Sequence, residues 1–198
     1  VNCKEIAAVI LAAGQSARLG TPKQLIPWQG TTLLEFTISE IQQSGIEDIV
    51  LVLGAHADEI KKIINNQQLR IVYNYSWPSG KASSIRAGLN TISPSSNGVL
   101  FFLCDQPYLS SELICKIIQA GDSSTADIIA PAVGDSLSNP VLFFKRIFPA
   151  FYTLQGEEGG KTLFSQYTIQ RVPWEDDRIL IDIDTQADLE KLSSLGFQ

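Results

Sequence analysis

The chain has a single histidine, and its three cysteines (Cys3, Cys104 and Cys115) are odd in number, widely spaced and free of any CxxC pair. Neither a disulfide framework nor a zinc site is indicated, and reduced thiols in a cytoplasmic protein are the simpler expectation. A basic excess is lacking too. The formal net charge is −6, with 15 Lys and Arg against 21 Asp and Glu, which argues against a nucleic-acid partner, because such proteins neutralise phosphates with a basic face. No segment approaches the ~20 apolar residues that span a bilayer. The apolar start "IAAVILAA" has neither a basic leader nor a cleavage site, so it reads as a buried strand and no membrane attachment is expected. Internal repeats are absent, and "SPSSNG" at 93–98 is too short for an interdomain linker.

What is present suits one soluble domain over residues 1–198, with 44% hydrophobic and 18% charged residues. Apolar runs too short for helices alternate with stretches of helical period, the pattern of strands buried on both faces by covering helices. Strands are expected at Ile6–Ala12, Asp48–Leu53, Arg70–Tyr73, Gly98–Cys104, Ile128–Pro131, Val141–Phe143, Thr168–Val172 and Leu180–Ile183. Helices are expected at Thr32–Ser44, Ala57–Asn65, Lys81–Thr91, Ser110–Ala120, Phe144–Tyr152, Gly160–Gln166 and Gln186–Leu195. The order predicts a three-layer α/β fold around a mostly parallel sheet, with function in the loops that follow strands.

The first such loop, "LAAGQSARLGTPKQL" at 11–25, contains Gly14 and Gly20, which suit positive φ and close ligand approach, and Ser16, Arg18 and Lys23 as donors to an anion. It is neither GxxxxGK[ST] nor GxGxxG, which disfavours a P-loop ATPase or a dinucleotide-binding oxidoreductase. "FFLCDQP" places Asp105 directly after the most apolar strand, suited either to a divalent metal at the sheet edge or to capping the helix that starts near Ser110. "ILIDIDTQADL" offers Asp182 and Asp184, on one face if the strand continues. "GKASSIRAGL" feeds a helix start rich in hydroxyls, where Ser83 or Ser84 could cap the helix or contact a ligand. Cys104 reads as core, His56 as a surface or capping residue, and Trp28, Trp77 and Trp174 as packing anchors.

Taken together, "LAAGxSxRLGxPKQLxPxxG", "CDQP", "GKASSIRAGL", "SNPVLFF" and "DIDTQADL" occur in the order found in the MobA-like nucleotidyltransferases, which the chain resembles over nearly its whole length. The resemblance implies a Rossmann-like nucleotide-diphospho-sugar transferase (GT-A-type) fold and an Mg2+-dependent enzyme. It assigns nucleotide contacts to Leu11, Ala12, Ala13, Gly14, Ser16, Arg18, Lys23, Gly80 and Ser84. It also implies metal contacts at Asp105 with Asp182 or Asp184, and an acceptor side formed by Gln106, Pro107, Asn139, Pro140, Gly160 and Lys161. Arg18, Lys23 and Asp105 are the residues it makes catalytic. "LAAG" and "DQP" resemble the cytidylyltransferase branch, where guanylyltransferases tend to carry "LAGG", and this implies transfer of CMP from CTP to molybdopterin. Ser138, Glu157–Glu158 and Gly160–Lys161 depart from the family pattern on the acceptor side. The alternatives are another NTP or a guanylyl, sugar-phosphate or methylerythritol-phosphate acceptor, an oxidoreductase, or a non-catalytic carrier that hands molybdenum cofactor to a partner hydroxylase.

Overall fold

The computed structural model describes residues 2–64 and 68–194, so Asn65 and Leu195, expected at helix ends, lie outside it. In chain order the strands are β1 Ile6–Ala12, β2 Pro27–Trp28, β3 Thr31–Thr32, β4 Asp48–Leu53, β5 Arg70–Tyr73, β6 Gly98–Leu103, β7 Ile128–Val133, β8 Ser136–Leu137, β9 Val141–Phe144 and β10 Ile169–Pro173. The helices are α1 Leu33–Gln43, α2 Ala57–Ile63, α3 Lys81–Leu89, α4 Ser111–Ala120, α5 Phe148–Phe151 and α6 Gln186–Ser194.

The sheet runs β10-β7-β9-β6-β1-β4-β5, with β8 paired to β7. β1 is parallel to both β4 and β6, with Ala12 opposite Leu53 and Leu11 opposite Leu103. β9 is antiparallel to both β6 and β7, so the sheet is mixed but mostly parallel. The alternation of β1 explains the layers: Ile6, Ala8, Ile10 and Ala12 pack with α1, α2 and α4 on one face. Ala7, Val9 and Ala13 pack with α3 and α5 on the other. Every residue of β1 except Leu11 is buried, which is why this strand reads as continuous apolar sequence.

Helix starts follow from their capping chemistry. Thr32 Oγ1 accepts the Glu35 N–H at 3.2 Å while Glu35 Oε2 accepts the Thr32 N–H at 3.1 Å, which closes a capping box on α1. Ser110 Oγ accepts the Leu113 N–H at 3.2 Å and caps α4. Asp105 is therefore not needed for that cap.

Several expectations are corrected. Leu180–Ile183 is not a strand: Asp176 accepts the Arg178 N–H at 3.1 Å and starts a 3-10 turn over Asp177–Leu180, after which the chain is extended but unpaired with any strand. Gly160–Gln166 is a 3-10 segment, Gly160–Ser165, and not an α-helix. Phe144 belongs to β9, and a 3-10 turn at Lys145–Ile147 separates it from the single turn of α5. The β2–β3 hairpin escaped the sequence reading although its loop, Gln29–Gly30 with φ 48° and 77°, is the left-handed pair that tight hairpins use.

Candidate active site

The carboxyl ends of β1 and β6 open onto a cleft of about 890 Å3. Its first wall is the loop after β1. Ser16, with φ 53°, turns the chain so that its carbonyl accepts the N–H groups of Leu19 and Gly20 at 3.0 and 3.3 Å. Its hydroxyl accepts the Lys23 N–H at 3.1 Å, so the loop closes onto the base of the lysine. The left-handed residues here are Ser16 and Gly20 (φ 76°), and Gly14, against expectation, is not one of them. Gly14 instead leaves space: a β-carbon on it would meet nothing within 4 Å.

Two residues that the sequence reading did not assign to the site hold this loop. Gln24, 2% exposed, donates its amide to Ala12 O at 3.1 Å and satisfies the last carbonyl of β1. Ala12 is thereby tied into the sheet and is not part of the cleft wall, whereas Leu11, Ala13, Gly14, Ser16, Arg18 and Lys23 are. His56 neither caps α2 by its side chain nor stands free, since its Nε2 lies 3.1 Å from Gln15 O. That contact requires the proton on Nε2, and Nδ1 faces Glu59 Oε1 at 3.3 Å.

The charged centre is built from three distant segments. Lys23 Nζ lies 2.9 Å from Asp105 Oδ2 and 2.8 Å from Asp184 Oδ1, and Arg18 reaches Asp184 Oδ2 at 3.4 Å. Burial alone would lower the Lys23 pKa, but the carboxylates of Asp105 and Asp184 outweigh it and hold the ammonium above its ordinary value. The hydrogen bond from Lys23 holds the Asp184 carboxyl below the usual range. Asp105 stands in the turn two residues past the end of β6, and its backbone carbonyl accepts the Ile183 N–H at 2.8 Å, which stitches the C-terminal segment to the same turn.

Asp182 behaves differently. Although exposed at its surface, its carboxyl is crowded by the cleft, and this partial desolvation, together with the nearby charge of Asp105, pushes its pKa up against a hydrogen bond from Gln106. Among the described residues no group of three or more His, Cys, Asp or Glu is gathered as a metal site. The expected trio is thus divided: Asp105 and Asp184 share the Lys23 ammonium, and Asp182 is turned toward Gln106. Cys104 beside them is buried and its thiol is pushed far up by that burial, so it is core as expected.

Gly80 and Ser84 line the cleft from α3. Ser84 and Ser83 both take hydrogen bonds from Asn74 Nδ2, at 2.9 and 2.8 Å, so buried Asn74, unassigned from sequence, fixes the hydroxyl pair. Ser83 does not cap α3, and its hydroxyl donates to Gly80 O at 2.8 Å. Gly80 has φ 104°, and a β-carbon on it would fall 2.3 Å from the Gly156 carbonyl carbon and oxygen. Asn139, Gly160 and Lys161 line the opposite side, while Pro107 and Pro140 are buried behind it. Trp77 also faces the cleft, whereas Trp28 packs edge-on against Phe36 and Tyr108.

A mostly parallel sheet with a donor-rich loop, a shared lysine and two carboxylates at its carboxyl edge is an arrangement suited to a phosphate-bearing ligand such as a nucleotide, as a nucleotidyltransferase would need. Comparison with known proteins agrees. The MobA-like NTP transferase domain matches residues 8–172, and the chain belongs to that family. It is 30% identical over 94% of its length to nicotine blue oxidoreductase of Paenarthrobacter nicotinovorans, covering 96% of that protein. A probable molybdenum cofactor guanylyltransferase of Bacillus cereus is 27% identical, with 86% of this chain and 84% of that one covered. Rv0371c of Mycobacterium tuberculosis superposes with a TM-score of 0.86 at 28% identity, covering 98% of this chain and 100% of that one, and a manganese complex of Rv0371c is also similar, with a TM-score of 0.83.

Proposed function

We propose that the protein transfers CMP from CTP to the terminal phosphate of molybdopterin, releasing pyrophosphate. The observation that carries this reading is Lys23, held between Asp105 and Asp184 beside the Ser16–Arg18 loop: cations for a triphosphate and carboxylates for a metal meet at one point. A phosphate oxygen of the acceptor attacks the α-phosphorus of CTP in line. The bond to the bridging oxygen breaks, and its electron pair leaves with pyrophosphate. Charge grows on phosphate oxygens throughout, so the work is positioning and electrostatic stabilisation without a protein nucleophile.

Arg18, Lys23 and the N–H groups of the loop hold the triphosphate, and Ala13, Gly14, Gly80 and Ser84 border the base. Asn139, Gly160 and Lys161 border the acceptor. Asp105 Oδ1 is buried and takes no hydrogen bond, and an anionic oxygen left so fits a hard divalent cation. Asp105 and Asp184 would hold Mg2+, which when bound supplies charge neutralisation at the phosphate oxygens.

The preference for cytosine rests on "LAAG". The carbonyl of Ala13 takes the Ala55 N–H at 3.1 Å, which fixes the backbone of this motif at the cleft wall. Pyrophosphate release measured with CTP, GTP and ATP, with Mg2+ and a molybdopterin-type acceptor, tests the reading. CTP-specific turnover is expected, and GTP-specific turnover would make it a guanylyltransferase. The relative named an oxidoreductase, 30% identical over 94% of this chain, favours a second reading in which the cleft takes a reduced nicotinamide dinucleotide. NAD(P)H binding without NTP turnover would select it.

A further inference from the structure

Lys23 occupies the place a metal ion would need. Its ammonium contacts Asp105 Oδ2 and Asp184 Oδ1 at 2.9 and 2.8 Å, with side chains only 18% exposed for Lys23 and 14% for Asp105. Arg18 takes the other oxygen of Asp184 at 3.4 Å. Only Asp105 Oδ1 remains without a partner. A divalent ion drawn to that oxygen meets a unit positive charge already seated between the two carboxylates, screened from water on the Asp105 side but open to it at Asp184, which is 41% exposed.

The way out is also visible. The backbone of Lys23 is tied to the phosphate loop, where its N–H donates to Ser16 Oγ at 3.1 Å, while its ammonium rides on a flexible four-carbon stem. A triphosphate on that loop would offer phosphate oxygens to the three N–H donors of the same ammonium. From this we infer that Lys23 is an internal counter-ion: it closes the Asp105–Asp184 pair to divalent ions until a triphosphate draws the ammonium away, so metal and nucleotide enter together. The inference rests on the assignment of Asp105 and Asp184 as metal ligands made above.

The test is Mn2+ binding to the nucleotide-free protein, read from the electron paramagnetic resonance signal of the free ion. Lys23→Gln, which removes the charge, is expected to bind Mn2+ at least about tenfold more tightly than wild type. Lys23→Arg, which keeps it, should stay as weak as wild type, and Asp105→Asn added to Lys23→Gln should erase the gain. Lys23→Met, an unbranched neutral side chain, serves as a second variant should the glutamine protein not fold. Wild type binding Mn2+ as tightly as the neutral variants overturns the counter-ion role while leaving the transferase reading intact. Nucleotidyl transfer that survives Asp105→Asn overturns the metal-ligand assignment, and wild type that releases no pyrophosphate from any NTP overturns the transferase reading itself.

Discussion

The ring of His56 reaches across from the loop after β4 to hold the carbonyl of Gln15, 3.1 Å from its Nε2, one residue before the left-handed turn at Ser16. The contact spans 41 residues of chain. It fixes from outside the loop proposed to hold the triphosphate, so His56→Ala should raise the KM for NTP roughly tenfold, about the value of one hydrogen bond, with little change in kcat. His56→Gln retains a donor of similar reach and should recover most of the loss. Steady-state kinetics of the two variants decide it, and equal effects on kcat and KM would count against a positioning role.

Asp105→Asn keeps the shape of the turn but removes one of the two charges that Lys23 bridges. The expected outcome is a fall in kcat on the order of 10^3-fold, with the fold retained by circular dichroism.

Gly80→Ala strikes both halves of the cleft. The added carbon would collide with the Gly156 carbonyl at 2.3 Å, at a φ of 104° that L side chains rarely adopt. The Ala82 N–H to Gly156 O bond of 3.0 Å, which ties the 156–160 loop to α3, would have to open. A stability loss of about 1–3 kcal/mol is expected in urea unfolding, with a raised KM for the acceptor.

The pH dependence should reveal Asp182. Its pKa is raised in the folded protein by partial burial and by Asp105, so the folded state favours the protonated form. The stability that proton confers is present below the ordinary carboxylate range and is lost as pH rises through the raised value. Asp182→Asn should therefore unfold at a higher temperature than wild type at pH 7 and show no such advantage at pH 3.

Much of this was legible in the sequence where local chemistry is decisive. β1, β4 and β5 were read with their observed bounds because apolar runs of four to seven residues between turn formers leave few alternatives. The two-residue strands β2, β3 and β8 are too short for any period, and the reversed direction of β9 is set by its neighbours on both sides and by nothing in "VLFF" itself. In the site, Lys23 and Asp105 were legible from their motifs. Gln24, His56 and Asn74 were not assigned, because each acts through a hydrogen bond to a partner brought close by folding. The choice between Asp182 and Asp184 turned on a strand that does not form.

The bond from Ile183 N–H to Asp105 O carries a consequence for synthesis. A chain emerging from the ribosome can pair β1, β4, β5 and β6 while Lys23 still has only one carboxylate. The second arrives 161 residues after the lysine. Ordering of the charged centre is therefore complete only once the segment carrying Asp184 has been made, and a chain halted before residue 184 would leave Lys23 with Asp105 alone.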